Sequence, residues 1–357
     1  MIALALPAVS DAPAPFVTRL RAGRPEAAAE SGRLSSRAGA SLWCGAQGLF
    51  EIAHEADALL GDVVLVDPQA GRADRLIRAR SRHNTLLVTE QCDQLCTMCS
   101  QPPKKGHTDR FELLREACLL APPGQTIGIS GGEPMLHAEA LLAMLEQVLA
   151  ERGDLAFHVL SNGQHFTREH RARLRQPAYA RVAWGIPLYS ADPATHDAVV
   201  AKPGAFERLM DAFAHLLLAG ARVELRTVLT AQTLPGLEPL ARFVALNLAH
   251  VEQWSLMGLE NAGFARNRWD QLRIELPRDF GPIGRAIDRA TLHGIPARLF
   301  NVPLCQMPAA FRPFAVASIS DWKQRFGTPC QACAARPECA GFFEWHPDAL
   351  VEGVTPL

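Results

Sequence analysis

At 357 residues, with 48% hydrophobic and 20% charged side chains, the chain has material for one large domain with appendages or for two ordinary domains. Its formal net charge of -1 gives no basic stripe for a phosphate backbone, so nucleic acid is not an expected partner. No apolar run reaches the roughly 18 residues of a membrane span, and Pro7 interrupts an N-terminal apolar patch that has no basic residues before it, which argues against a secretion signal. A cytoplasmic protein with no membrane partner is expected. Nine cysteines are too few for a disulfide scaffold. Seven of the nine fall into two groups, 92 to 99 and 305 to 339, which reads as metal ligation in a reducing compartment.

Residues 1 to about 35, rich in Ala, Pro, Arg and Ser without a sustained period, predict a partly irregular, peripheral segment. The strand-like run Gly61 to Asp67, a turn over Pro68 to Gly71 and a second run Arg75 to Arg78 predict a small β-rich module over 1–83. It serves as a structural extension or as a docking site for a peptide. From residue 84 strands and helices alternate. The strands are expected at 84–89, 126–130, 156–160, 181–188, 222–229 and 250–257. Helices are expected at 109–120, with Asp109 and Glu112 at capping-box spacing, and at 137–152, 205–219 and 237–248, where Gly153 and Gly220 act as stops. Thr167 is placed to cap a further helix after the third strand. Six βα units whose strands run as continuous apolar stretches argue for a parallel sheet covered by helices, with its chemistry at the C-terminal strand ends. A helix over 278–293 and a strand over 296–301 precede a proline-rich, cysteine-rich tail. The expected divisions are 1–83, a core over 84–260 and an extension over 261–357.

The first strand of the core runs into Cys92-Asp-Gln-Leu-Cys96-Thr-Met-Cys99. Three thiolates on one loop can hold a cubic iron–sulfur cluster with one iron left open. Close thiol spacing also suits zinc, although zinc sites usually take four ligands in two close pairs, and the nearest histidine, His107, lies beyond Pro102-Pro103. Gly131-Gly132-Glu133-Pro134 ends the second strand, where an ordinary strand-to-helix turn would also use glycine. Cys305, Cys330, Cys333 and Cys339 supply four ligands, enough to close an iron–sulfur or zinc site unaided. Cys118, on an apolar helix face, reads as a core thiol, and Cys44 has no assignment.

Together, Cys92, Cys96 and Cys99 with Met98 before the last, followed by Gly131-Gly132-Glu133-Pro134, resemble the radical S-adenosylmethionine (SAM) superfamily over about residues 84 to 260. The resemblance implies an α/β fold with a partial (β/α)6 TIM-like barrel and a [4Fe-4S] cluster whose open iron is chelated by SAM. A reductant such as flavodoxin or ferredoxin would supply the electron that cleaves SAM to a 5'-deoxyadenosyl radical. Gly131 and Gly132 would then let the backbone approach the methionyl group, Glu133 would accept from the SAM amino group and Pro134 would stiffen the turn. Ser161-Asn162-Gly163 resembles the family's Thr-Asn-Gly at the ribose. Ser190 and Arg226 occupy positions at which relatives contact the SAM ribose and carboxylate; a turn cap and a structural ion pair are the plainer readings. Met98 would pack near the adenine.

The C-terminal cysteines resemble the auxiliary-cluster extension of peptide-modifying members. Four stand here in place of that extension's seven, Phe343 occupying one ligand position, which leaves one auxiliary [4Fe-4S] cluster as relay or staple. The runs Val88 to Asp93, Met98 to Pro103, Ile129 to Pro134, Pro187 to Ser190, Leu256 to Glu260 and Ser318 to Lys323 are similar to the His-Xaa-Ser system radical SAM maturases, over about residues 55 to 345. That similarity implies a ribosomally made precursor peptide with His-Xaa-Ser repeats, a second radical SAM maturase and a small partner protein. Two other readings stand beside it: a radical SAM enzyme acting on a small molecule or an intact protein, as in sulfatase maturation, and a non-catalytic zinc-binding scaffold. No residue is assigned as acid, base or hydrogen donor.

Overall fold

The computed structural model describes residues 2–357. Its first seven strands are β1 (Ala5–Ser10), β2 (Phe16–Arg21), β3 (Glu30–Arg37), β4 (Ala40–Gly45), β5 (Gly48–Ile52), β6 (Val63–Asp67) and β7 (Arg72–Ile77). They close into a barrel in the order β1-β5-β4-β3-β2-β6-β7, and β7 pairs back onto β1. The expectation that residues 1–35 are irregular and peripheral is therefore corrected, since three barrel strands begin there. These strands are short and carry charges on part-buried faces, which hides their period. The charges are matched inside the fold: buried Glu30 accepts from Arg19, from Arg21 Nη1 at 3.1 Å and from the Glu26 backbone N–H at 3.0 Å. Leu20, Trp43, Phe50 and Ile52 fill the interior, and closure leaves no strand edge open.

Val17, Val63, Leu65 and Ile77 face out of this barrel and join the main core with Leu86, Phe111 and Leu114. The crossing is fixed by Asn84, whose side chain accepts from the Arg78 N–H at 2.9 Å and donates to the Arg78 carbonyl at 3.1 Å. Arg78 also pairs with Asp321, far along the chain.

The second sheet contains β8 (Asn84–Thr89), β9 (Thr126–Gly131), β10 (Ala156–Leu160), β11 (Val182–Pro187), β12 (Arg222–Leu229), β13 (Gln253–Gly258), β14 (Ala297–Phe300) and β15 (Ala315–Val316). All neighbours are parallel and in sequential order, with β8 and β15 at the two ends. The sheet thus runs two strands beyond the six of the (β/α)6 expectation and continues past residue 260. The strands also alternate, contrary to the expected all-apolar runs. Ile129, Trp184, Leu225 and Leu256 lie buried, while His158, Glu224, Arg226, Gln253 and Ser255 occupy the alternate positions. Register sets Arg226 beside Ser255 and Glu224 beside Gln253.

Helices Ala138–Glu151, Ala205–Ala219 and Leu237–Asn247 fall where the periodicity puts them, and Gly220 stops the second at a φ of 69°. Two caps differ from expectation. Helix Phe111–Leu119 has Arg110 at its N-cap; Asp109 accepts from the Phe111 N–H at 3.0 Å, and Glu112 turns to Arg115 instead of reaching back. Before helix His170–Leu174 the His170 ring accepts from the Thr167 N–H at 3.1 Å, so Thr167 is the donor and not the cap.

Candidate active site at the C-terminal strand ends

The cysteine loop leaves β8 and is held from three directions. Lys104 N–H donates to the Glu90 carbonyl at 2.8 Å, Thr97 N–H to the Val199 carbonyl at 2.8 Å, and Phe264 N–H to the Cys99 carbonyl at 2.8 Å. Met98 is buried in an apolar cluster with Tyr189, Val199, Val200, Leu259 and Leu272, and Cys96 packs against it. Burial pushes the Cys92 thiol up to about 11 and the Cys96 thiol up to about 12, and raises Cys99 as well; the three sulfurs lie close enough to influence one another electrostatically. Thiols this hard to ionise need a cation to become thiolates. The donor set, three half-buried cysteines on one tethered loop, fits an iron–sulfur group.

The Gly-Gly-Glu turn packs directly on this loop. Gly132 N–H donates to the Thr89 carbonyl at 2.9 Å and Glu133 N–H to the Gln91 carbonyl at 2.7 Å. A Cβ on Gly132 would lie 2.1 Å from the Gln91 oxygen, and one on Gly131 2.6 Å from the Thr89 oxygen. Close approach to the stem of the cysteine loop therefore demands glycine at both positions. Pro134 opens a single 3₁₀ turn after Glu133.

Glu133 is 0% exposed. Its Oε1 accepts from the Met135 N–H and the Ser161 hydroxyl, each at 2.8 Å, and its Oε2 from the Asn162 N–H at 2.5 Å. Burial raises its carboxyl above the usual carboxylate range despite these donors. This carboxyl is enclosed by the protein and joins the turn after β9 to the turn after β10. Asn162 continues the chain of contacts, donating to Asp93 Oδ1 at 2.8 Å and approaching Cys92 Sγ at 3.9 Å. Asp93 also pairs with Lys202 and lies 3.2 Å from His165 Nε2. Burial alone would raise the Asp93 carboxyl, but its contacts with His165, Lys202 and Asn162 prevail and hold it well below the carboxylate range.

Cys92, Cys96, Cys99, Met98, Gly131, Gly132, Glu133, Pro134, Ser161 and Asn162 thus form one contiguous assembly. Ser190 is buried after β11, where its hydroxyl accepts from the Asp192 N–H at 3.0 Å as a turn residue. Arg226 donates to Glu224 Oε2 at 3.0 Å, the structural ion pair of the plainer reading. That glutamate also meets His158 Nε2 at 2.5 Å and the Ser255 hydroxyl. Asp93, Lys202, His158 and Glu224 were not anticipated. Asp93 sits between two cysteines as an apparent spacer, and the other three come together only through strand register and loop crossing.

Cys305, Cys330, Cys333 and Cys339 line one small cavity with Pro303, Phe326 and Ala335. Backbone N–H groups of Leu304 and Gly341 each donate to Cys339 Sγ at 3.4 Å, and that of Leu357 to Cys333 Sγ at 3.4 Å. Such donors suit sulfurs that carry negative charge, so this set also fits a metal group.

Residues 86–244 match the family model described as the Radical SAM superfamily. A curated relative, the AdoMet-dependent heme synthase of Nitratidesulfovibrio vulgaris (strain Hildenborough), is 27% identical over 194 residues, 52% of this chain and 50% of that protein. The chain therefore spans about half the length of that relative. Among solved structures, Streptococcus suis SuiB bound to S-adenosylmethionine is 14% identical, covering 62% of this chain and 50% of its own, with a TM-score of 0.49. A radical SAM methyltransferase from Sphaerobacter thermophilus is 18% identical, covering 75% and 76%, with a TM-score of 0.45.

Proposed function

We propose, from the radical SAM superfamily domain over residues 86–244, that this chain is a cytoplasmic radical SAM enzyme that modifies a ribosomally made peptide. The supporting observation is a tethered loop with three half-buried thiols packed against the Gly-Gly-Glu turn at the C-terminal ends of a parallel sheet. Cys92, Cys96 and Cys99 hold a [4Fe-4S] cluster with SAM at its open iron. When bound, the cluster supplies the electron that cleaves SAM and so provides the 5'-deoxyadenosyl radical for hydrogen abstraction. Glu133 locks the turns that carry Ser161 and Asn162 around this position. Met98, Tyr189 and Val200 keep water from the loop. Ser190, after β11, and Arg226, within β12, would contact the SAM ribose and carboxylate.

The four C-terminal cysteines hold one auxiliary [4Fe-4S] cluster, fully ligated, as an electron relay or a staple. The resemblance over residues 55 to 345 supports a His-Xaa-Ser repeat precursor as substrate, with the N-terminal barrel as the surface that receives it. It also supports a second radical SAM maturase, a small partner protein and a flavodoxin or ferredoxin reductant. Reconstituted anaerobically and given a strong reductant, the protein should convert SAM to 5'-deoxyadenosine, and replacing Cys92, Cys96 and Cys99 by Ala should abolish this. Mass spectrometry of the precursor coexpressed with the chain should reveal a mass change, loss of two hydrogens for an oxidative cross-link. An intact cluster that yields no deoxyadenosine refutes the reading.

A further inference from the structure

The cysteine loop contains one buried donor with nothing to donate to. Gln94 is 3% exposed, its Nε2 has no partner, and its Oε1 accepts from Cys96 Sγ at 3.6 Å. That contact belongs to a protonated thiol, which gives its S–H to the amide carbonyl. As a cluster ligand Cys96 is a thiolate with no proton to give, and the carbonyl would then face an anion. The two ends of a side-chain amide have nearly the same shape, so a half-turn of the group sets Nε2 where Oε1 stood and converts the contact into a donated hydrogen bond.

The neighbouring sulfurs have other surroundings: Cys99 Sγ contacts the Gln101 carbonyl at 3.0 Å, and Cys92 has Asn162 Nδ2 at 3.9 Å. We propose that Gln94 donates its side-chain N–H to the Cys96 thiolate when the loop carries its cluster, and thereby sets the reduction potential of that cluster. This rests on the reading of Cys92, Cys96 and Cys99 as cluster ligands. A hydrogen bond to a ligand sulfur stabilises the more negative, reduced state and raises the potential. Gln94 is a positioning residue, acting through Cys96.

The test compares wild type with Gln94→Leu and with Gln94→Met, both of which keep the bulk and remove the amide donor. Iron and sulfide content, potentiometric titration and pulsed electron paramagnetic resonance in deuterated buffer are read on each. Both variants should load iron as wild type does and titrate at a more negative potential. A tenfold change in the reduction equilibrium corresponds to about 59 mV for a one-electron couple. The exchangeable deuteron coupling assigned to the amide should disappear. Potentials and couplings equal to wild type in both variants overturn the proposal. If Gln94→Leu fails to fold, Gln94→Met decides alone. A wild-type chain that binds no iron sinks the reading of the loop itself, a distinct failure seen before any variant is made.

Discussion

Gly132→Ala probes the joint between the Gly-Gly-Glu turn and the cysteine loop. The added methyl would stand 2.1 Å from the Gln91 oxygen, 2.5 Å from the Gln91 carbonyl carbon and 2.9 Å from Cys92 Cβ, where 3.0 Å is the practical floor for such contacts. All three neighbours are backbone or a Cβ, so no flexible side chain can swing away. The turn must retreat by about 0.9 Å, which stretches the 2.7 Å bond from Glu133 N–H to the Gln91 carbonyl to about 3.6 Å, outside hydrogen-bond range. The bond from Gly132 N–H to Thr89 lengthens likewise. Two backbone bonds at about 1 kcal/mol each, with about 1–3 kcal/mol of overpacking, give a destabilisation on the order of 3–5 kcal/mol. Since Glu133 also fixes Ser161 and Asn162, the displacement reaches both. Denaturant unfolding and iron loading after anaerobic reconstitution measure it. Gly23→Ala, with nothing within 4 Å of its Cβ, is the control, expected within about 0.5 kcal/mol of wild type. A Gly132→Ala protein with the wild-type midpoint and full iron content would refute the argument.

Two further predictions concern the polar group around Glu224 and the tail. Burial would raise the Glu224 carboxyl, but the Arg226 charge and the contacts with His158 and Ser255 prevail and hold it at about 2, below the ordinary 4.5. A depressed acid stabilises the fold above its unfolded pKa and loses that contribution as pH falls, so on the order of 3 kcal/mol should vanish between about pH 4.5 and pH 2. Glu224→Gln should lose this part of the acid dependence in denaturant titrations run at several pH values; an unchanged pH slope contradicts the assignment. In the tail, Cys339→Ser should lower iron and sulfide by roughly half while the cluster at Cys92, Cys96 and Cys99 persists. Stoichiometric zinc at the wild-type C-terminal site would exclude an auxiliary cluster there.

The parallel sheet was legible because its punctuation is local: Gly220 ends a helix, Gly131-Gly132 ends a strand, and the thiols announce themselves by spacing. The N-terminal barrel was half legible. Val63 to Asp67 reads as a strand, but β1 to β3 spend their side chains on small residues and on charges such as Arg19 and Glu30, whose pairing exists only after closure. Glu133 was legible as a motif residue, but nothing in a linear motif says that Ser161 and Asn162 will occupy its oxygens. The polar group of His158, Glu224 and Ser255 was invisible for a similar reason. Each residue is unremarkable within its own strand, and Glu224 meets His158 and Ser255 only diagonally across the sheet.

The sequential strand order also dictates a timetable for synthesis. Each strand from β9 onward leaves the ribosome with its pairing partner already made, so the sheet grows from one edge. The thiols of Cys92, Cys96 and Cys99 emerge early, yet the groups that tether and enclose them, from Glu133 through Val199 and Val200 to Phe264, arrive later. At about 5–20 residues per second, the stretch from Cys99 to Phe264 takes on the order of ten to thirty seconds. During that interval the loop is an open set of thiols exposed to oxidants and stray metal ions. Metal delivery that waits for the finished sheet would meet a tethered, partly buried loop, and the nascent chain would need protection until then.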